Sequence, residues 1–414
     1  MEYGLIGEKL GHSFSAEIHP KITGKAYELK ELSKDSVEAF IKQKDFKGIN
    51  VTIPYKQTVM PFLDNIDENA KEIGAVNTIV NKNGVLYGHN TDFGGLLALI
   101  KKRKNDLTNK KALILGDGGA SKAAFAVLKH LNAKEILIVS LFPGNGKISY
   151  NDALTQHFDA EIIINATPVG MFPNVNGMAI DISRFKNLEL VVDVVYNPLR
   201  TDLTLAAEKM DVPALTGLYM LVGQAVLAAG HFTENEFGTE ITDKIFNEIV
   251  TKKRNIVLTG MPGSGKTTIG KVLAEKLGRE FVDTDELIVN KAGKQITEIF
   301  ANDGEAEFRR IESEVIADIS LQNGLIIATG GGAVLNNDNI RHLKHNGIVF
   351  FLDRELNELI PTDDRPLANS KESIIKRYNE RIDIYNSTND YSVKVIGPEK
   401  TANEIIKIFK GIDI

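Results

Sequence analysis

Three times along this chain a short apolar run breaks into a turn and then a helix-like pattern: ALILGDGG at 112–119, IIINATPVG at 162–170 and NIVLTGMPGSGK at 255–266. An apolar run without polar alternation reads as a strand buried on both faces, and such strands belong to parallel sheets covered by helices. The expected class is therefore α/β. At 414 residues the chain is longer than one hydrophobic core usually organises, so two or three compact units are expected. A Lys-Lys-Arg cluster at 252–254 ends one helical pattern just before a new apolar strand, which places the main boundary near residue 252. A further break near residue 92 separates a segment containing NVTIPYK from the strand that begins at Lys111. The expected units are 1–92, completed by helices around 218–250, then 93–252 and 253–414. The two glycine-rich turns differ in spacing and in the residues after them, so the halves are fused and not duplicated.

Composition narrows the chemistry. A net charge of -6, with no basic stripe interleaved with aromatics, argues against a nucleic-acid partner. With no cysteine, disulfides, thiolate nucleophiles and thiolate zinc sites are excluded. The N-terminus MEYGLIGEKLGHSFS lacks a cationic segment followed by a long apolar one, and no run of eighteen apolar residues comes after it. A cytoplasmic protein with no membrane partner is expected.

The sharpest local signal is Gly260-Met-Pro-Gly263-Ser264-Gly265-Lys266-Thr267-Thr268, directly after the apolar run Ile256–Thr259. Glycines here let successive backbone N–H groups turn inward and cradle an anion at a helix N-terminus. Lys266 would reach the outer phosphates of a nucleotide, and the Thr267 hydroxyl would coordinate magnesium. Farther on, Asp283 and Asp285 close the next strand and, by alternation, would share one face, or simply cap the helix that follows. Arg309 and Glu312 stand three apart on a helical pattern, where Arg309 could fork onto a carboxylate or simply pair at the surface. Gly330-Gly331-Gly332 follows another apolar strand and would let a ligand touch backbone.

The glycine loop, Asp-Thr-Asp, Phe-Arg-Arg-Ile-Glu and the triple glycine, in this order and spacing, resemble shikimate kinase over roughly 255–414. The resemblance implies that Asp285, Arg309, Gly331 and Arg381 hold shikimate, with both arginines on its carboxylate. It implies that Asp283 organises magnesium and assists deprotonation of the hydroxyl. ATP would lie on Gly263, Ser264, Gly265, Lys266, Thr267 and Thr268, with Arg365 of Arg365-Pro366-Leu367 closing over it. The segment before it, 358–364, is acidic where relatives carry more basic residues.

Before residue 100, Gly11-His12-Ser13-Phe14-Ser15, Asn50-Val-Thr52-Ile-Pro54-Tyr-Lys56, Gly74-Ala-Val-Asn77-Thr and Asn90-Thr-Asp92 each carry small hydroxyls or amides. Singly these read as turns or caps; together they suit a polyol with a carboxylate. A lysine beside a proline-stiffened strand end, with an aspartate available, is a reasonable proton-transfer pair for carbonyl reduction. Gly116-Asp117-Gly118-Gly119-Ala120-Ser121 follows a strand and opens a helix, as a dinucleotide-binding turn does. With Asn165-Ala-Thr-Pro, Asp193-Val-Val-Tyr196 and Gly217-Leu-Tyr-Met-Leu-Val-Gly-Gln224, these clusters resemble shikimate dehydrogenase over 1–250. The resemblance implies a Rossmann-like dinucleotide domain and Lys56 with Asp92 as the catalytic pair. It implies Ser13, Ser15, Thr52, Asn77, Asp92, Tyr196 and Gln224 around the substrate, and Gly116, Gly118, Gly119, Ala120, Ser121 and Gly217 along the cofactor.

Three departures stand out. Asp117 occupies a turn position where relatives carry alanine, bringing a carboxylate near pyrophosphate. After the strand Ile136–Ser140, relatives read Asn-Arg-Thr, whose arginine takes the 2′-phosphate of NADP. This chain reads Leu-Phe-Pro-Gly-Asn-Gly-Lys147, with no arginine and no acidic residue to mark a ribose diol, which leaves Lys122 or Lys147 as phosphate anchor. NADP is the expected cofactor, with NAD as the alternative. Ala16 and Pro20 replace the usual Pro and Asn around His-Ser-x-Ser, and neither must supply a ligand hydroxyl. The function expected is reduction of 3-dehydroshikimate to shikimate followed by ATP- and magnesium-dependent phosphorylation to shikimate 3-phosphate. The competing readings are a quinate or other polyol dehydrogenase joined to a kinase of different specificity, and a catalytically silent nucleotide-binding regulator.

Overall fold

The computed structural model describes residues 1–11, 13–359 and 371–412. The chain divides into two compact units, one of residues 1–197 and 201–247, the other of residues 198–200 and 248–414. Among the described residues there are three sheets. No helix among them is long and apolar enough to cross a membrane.

The first unit opens with a mixed sheet of β1 (Tyr3–Gly7), β2 (Glu28–Glu31), β3 (Gly48–Val51), β4 (Asn65–Ile66), β5 (Thr78–Lys82) and β6 (Val85–His89), ordered β2-β1-β3-β5-β6-β4. Its second sheet is wholly parallel and holds β7 (Lys111–Leu115), β8 (Glu135–Val139), β9 (Lys147–Ile148), β10 (Ile162–Asn165), β11 (Leu190–Asp193) and β12 (Ala214–Thr216). The order β12-β11-β10-β7-β8-β9 is, from the other edge, 3-2-1-4-5-6 in chain sequence. That is the doubly wound arrangement whose ligand crevice opens at the carboxyl ends of the strands where the order reverses, between β7 and β10. Ala112–Leu115 and Ile162–Ile164 are fully buried, which is why they read as unbroken apolar runs.

One packing detail ties the chain's late helix to its early one. The helix Thr91–Lys101 runs against Leu218–Thr233, and a Cβ on Gly95 would stand 2.6 Å from the Met220 carbonyl oxygen. Only a residue without a side chain allows that approach, and it brings Gln224 beside Thr91. The other end of Leu218–Thr233 is seated on the mixed sheet, where Ala228 and Phe232 share a core with Tyr3, Leu5 and Val80.

The second unit is a parallel sheet of β13 (Asn255–Thr259), β14 (Phe281–Asp283), β15 (Ile326–Ala328), β16 (Gly347–Asp353) and β17 (Tyr391–Lys394), ordered β14-β15-β13-β16-β17. Helices cover both faces, with Ile316, Ile340 and Tyr385 in one core and Ile269, Ile405 and Phe409 in the other.

Candidate functional site

In the first unit three of the four polar clusters, those around Asn50, Asn77 and Asn90, converge through one buried hydrogen-bond network. Asn50 at the end of β3 accepts from Tyr27 Oη at 2.7 Å and donates to the Asn77 carbonyl at 3.2 Å and Thr78 Oγ1 at 3.0 Å. Asn77 Oδ1 accepts from the Thr91 N–H at 2.8 Å and from the hydroxyls of Thr78 and Thr91. That side-chain oxygen is thereby spent, and the amide N–H donors of Asn77 lie outside the network. Thr91 reaches Gln224 Oε1 at 3.4 Å, while Gln224 Nε2 is tied to the Leu221 carbonyl. Leaving a buried polar group unpaired is costly, so this network fixes the relative positions of β3, β5 and two helices.

The network holds a pair of charges. Asn90 caps the helix Thr91–Lys101, which puts Asp92 in its first turn, and Asp92 Oδ2 accepts from Lys56 Nζ at 2.6 Å. The side chains are 22% and 14% exposed, enough for a small ligand to reach them while bulk water is mostly excluded. Thr52 and Ser13 are partly buried and Ser15 is buried. Tyr196, past the end of β11, packs edge-on to Phe14 with centroids 5.2 Å apart, which brings the Ser13–Ser15 segment to the parallel sheet. Burial holds the Tyr196 phenol above its usual range, so it stays a neutral donor.

At the crevice of the parallel sheet, Gly118 caps the helix Gly119–His130, and a Cβ on Gly118 or Gly119 would meet nothing within 4 Å. That open cradle at a helix N-terminus suits a pyrophosphate. Ser121 is buried there with its hydroxyl unpaired among the described residues, and Ala120 is partly buried beside it. Gly217 is constrained by packing, since a Cβ would run into the Val194 carbonyl. Asp193 lies at the end of β11, wholly buried, and accepts from Thr201 Oγ1 at 2.7 Å, Asn165 Nδ2 at 2.9 Å and the Val195 N–H at 3.0 Å. Burial pushes its carboxyl up to about 6. Asn165 and Asp193 therefore brace the rim of the crevice.

In the second unit, β13 runs into the glycine loop and the helix Lys266–Leu277. Gly263 and Gly265 have φ of +81° and +94°, a region closed to most side chains. Lys266 is buried, with Nζ donating to the carbonyls of Gly260 at 2.8 Å and Met261 at 3.0 Å. Ser264 is buried too, and its hydroxyl has no partner among the described residues. A buried cation and an unpaired hydroxyl in one loop fit a phosphate. Thr267 Oγ1 donates to Asp283 Oδ2 at 2.9 Å, so the two groups expected on magnesium already touch; Thr268 is exposed one residue on.

Beside the loop lies a cavity of about 750 Å³ whose lining includes Asp283, Asp285, Arg309, Glu312, Gly331 and Arg381. Arg309 Nη1 lies 2.7 Å from Glu312 Oε2 and its Nη2 3.1 Å from Glu305. Burial pushes the Glu312 carboxyl up against the pull of Arg309. Burial works against the Arg309 charge as well, yet Glu312 and Glu305 hold its guanidinium above its usual value. Arg381, 5% exposed, donates to the Gly331 carbonyl at 2.9 Å, as does Tyr385 Oη at 2.5 Å.

Residues 262–410 match the sequence profile of shikimate kinase, and residues 5–79 that of the shikimate dehydrogenase substrate binding domain. The shikimate dehydrogenase (NADP(+)) of Clostridium perfringens is 36% identical over 264 residues, which cover 60% of this chain and 97% of that protein. The chain belongs to the shikimate dehydrogenase family. It carries a shikimate kinase domain in the same polypeptide and is a bifunctional shikimate-pathway enzyme. A solved chorismate mutase/shikimate 5-dehydrogenase fusion from Clostridium acetobutylicum is 36% identical, with TM-score 0.57, covering 60% of this chain and 96% of that one. The shikimate 5-dehydrogenase of Listeria monocytogenes, solved in complex with shikimate and NAD, is 27% identical with TM-score 0.53, over 59% of this chain and 96% of that one.

Against the sequence expectations, the dehydrogenase unit brings Lys56 to Asp92 and groups Asn77, Thr91 and Gln224; the kinase unit brings Arg309, Arg381, Asp283, Asp285 and Gly331 to one cavity. Three expectations change. Asp285 does not continue the strand: β14 stops at Asp283, which caps the helix Thr284–Ala292 and accepts from the Asp285 N–H at 3.0 Å. The two carboxylates converge because a helix starts there, not because a strand alternates. The triple glycine makes room for protein as well as ligand, since a Cβ on Gly330 would lie 2.9 Å from both Asp285 Oδ1 and Glu312 Oε1, and one on Gly331 2.9 Å from Pro262 Cδ. The third change concerns Asp117, which turns to the end of β8 and meets Ser140 Oγ at 3.1 Å and Lys147 Nζ at 2.6 Å. Lys122 instead directs its ammonium toward Gly74, within 3.7 Å of where a Cβ would stand. Arg365 lies outside the described residues. Arg377 lines the kinase cavity and escapes the sequence reading, although it precedes Arg381 by one helical turn on the same helix.

Proposed function

We propose that the first unit reduces 3-dehydroshikimate to shikimate with NADPH, and that the second transfers the γ-phosphoryl group of ATP to the 3-hydroxyl of the product. The observation that carries the first half is the 2.6 Å Lys56–Asp92 pair, set among ring-binding hydroxyls and amides. Gly116, Gly118, Gly119, Ala120, Ser121 and Gly217 would hold the dinucleotide, which would supply hydride for the carbonyl carbon. Lys56 gives a proton to the carbonyl oxygen as its charge develops, and Asp92 keeps that ammonium oriented and takes part in its reprotonation. Ser13, Ser15, Thr52, Asn77, Tyr196 and Gln224 hold the ring.

In the kinase half, ATP supplies the phosphoryl group and Gly263 to Thr268 hold its phosphates. Thr267 and Asp283 would hold a magnesium ion, which would offset the negative charge of the phosphates. Arg309 and Arg381 take the shikimate carboxylate, Asp285 and Gly331 the ring hydroxyls, and Asp283 accepts the proton of the attacking hydroxyl. The division into 1–92 with the returning helix Leu218–Thr233, 93–252 and 253–414 is part of this proposal and is supported by one sheet in each part. The test supplies 3-dehydroshikimate, NADPH, ATP and magnesium and looks for shikimate 3-phosphate, with quinate in a parallel panel. Loss of either partial reaction, or faster turnover of quinate, refutes the pairing.

A further inference from the structure

The dehydrogenase's adenosine end differs from what the chain order suggests. In doubly wound folds an acidic residue beyond the second strand takes the ribose diol of NAD, or an arginine there takes the 2′-phosphate of NADP. Here the second strand of that sheet, β8, leads into Ser140, and the segment after it brings neither. Tertiary structure supplies the acid from elsewhere. Asp117, in the turn after β7, reaches across to β8 and is fastened by two contacts on one oxygen, Ser140 Oγ at 3.1 Å and Lys147 Nζ at 2.6 Å. Ser140 is itself fixed, accepting from the Phe142 N–H at 3.0 Å. Lys147 is set by a tight turn in which it exchanges two backbone hydrogen bonds of 3.1 Å with Gly144.

Electrostatics at this spot derive from those contacts. The hydrogen bond from Lys147 and that from Ser140 hold the Asp117 carboxyl below its usual range, so it is ionised. Of the two lysines available as phosphate anchors, Lys122 points toward Gly74 and Lys147 is already paired with a carboxylate. A 2′-phosphate, with about two negative charges at neutral pH, would meet a local charge near zero and a carboxylate at close range. Ribose hydroxyls are donors and find in Asp117 Oδ1 an acceptor facing no such conflict. Leu141 and Phe142, directly after Ser140, are 79% and 82% exposed, an apolar surface at the strand end where an adenine ring would rest.

Resting on the dehydrogenase reading and refining its cofactor, we propose that Asp117, fastened to β8 by Ser140 and Lys147, is the ligand of the adenosine ribose diol, so that this enzyme binds NAD(H) at least as tightly as NADP(H). The residues present at this strand end fit the diol better than the phosphate.

The experiment titrates NADH and NADPH into the full chain and follows nicotinamide fluorescence with no carbonyl substrate present, so that binding is read apart from turnover. The wild-type chain is expected to bind NADH as tightly as NADPH or more so. Asp117→Asn, at an exposed position that leaves the fold intact, removes the charge and is expected to shift the affinity ratio toward NADPH by about tenfold. Lys147→Ala leaves Asp117 without its cation and is expected to shift the ratio the other way. Tighter NADPH binding by the wild-type chain, or a ratio indifferent to Asp117→Asn, overturns the assignment and leaves the dehydrogenase reading standing. Failure of both dinucleotides to bind overturns both.

Discussion

The sharpest test of the kinase site is a single methyl group. An alanine at Gly332 would place its Cβ 2.6 Å from Arg309 Cζ, inside the guanidinium. The backbone there is packed, with Gly332 and Ala333 buried, so the arginine is what must move. Moving it breaks the 2.7 Å contact with Glu312, whose side chain is 1% exposed and whose Oε1 is unpaired among the described residues. Hydrogen bonds to charged groups are worth about 1.5–3 kcal/mol each, so under the proposed binding mode withdrawing Arg309 from the substrate carboxylate should raise the KM for shikimate about 10- to 100-fold. The phosphate loop is untouched, and the KM for ATP should stay within about twofold by the same reasoning. Initial rates over a shikimate series at saturating ATP and magnesium measure this, with a thermal melt as control for folding. An unchanged KM for shikimate, or an equal rise in both constants, would show that Arg309 does not hold the substrate. Gly331→Ala provides the contrast, because its Cβ would press on Pro262 of the phosphate loop and should raise the KM for ATP too.

Lys56→Ala should abolish reduction of 3-dehydroshikimate while shikimate still binds, as read by calorimetry; residual turnover near the parent rate would remove Lys56 from proton transfer. Lys266→Ala should abolish phosphorylation and leave reduction unchanged, measured as two separate assays on one preparation. Asp193 gives a pH signature. Its folded carboxyl titrates at about 6 against an ordinary 3.8, so between these values the folded chain keeps a proton that the unfolded chain has released. Its contribution is fully present below the ordinary value and is lost as pH rises through 6, about 3 kcal/mol in all. Thermal midpoints of Asp193→Asn should therefore fall less steeply than those of the parent over this window, and parallel profiles would contradict the buried, protonated carboxyl.

Much of this enzyme was legible in the chain because its signals are local. ALIL, IIIN and NIVLT announce strands buried on both faces, and the loop 260–268 carries its phosphate chemistry within nine residues. Lys56, Asp92 and Arg309 are singled out by the motifs around them. Hidden from the sequence is how residues far apart in the chain share space. Gly332 owes its missing side chain to an arginine twenty-three positions earlier. Asp117 and Lys147, thirty residues apart, meet only because β7 and β8 pair in register from Lys111–Glu135 to Leu115–Val139. Turn and strand preferences arise among neighbours along the backbone, and the sequence spells them directly. The charge around Asp117 is summed over side chains delivered by different strands, and that sum exists only once the sheet has formed.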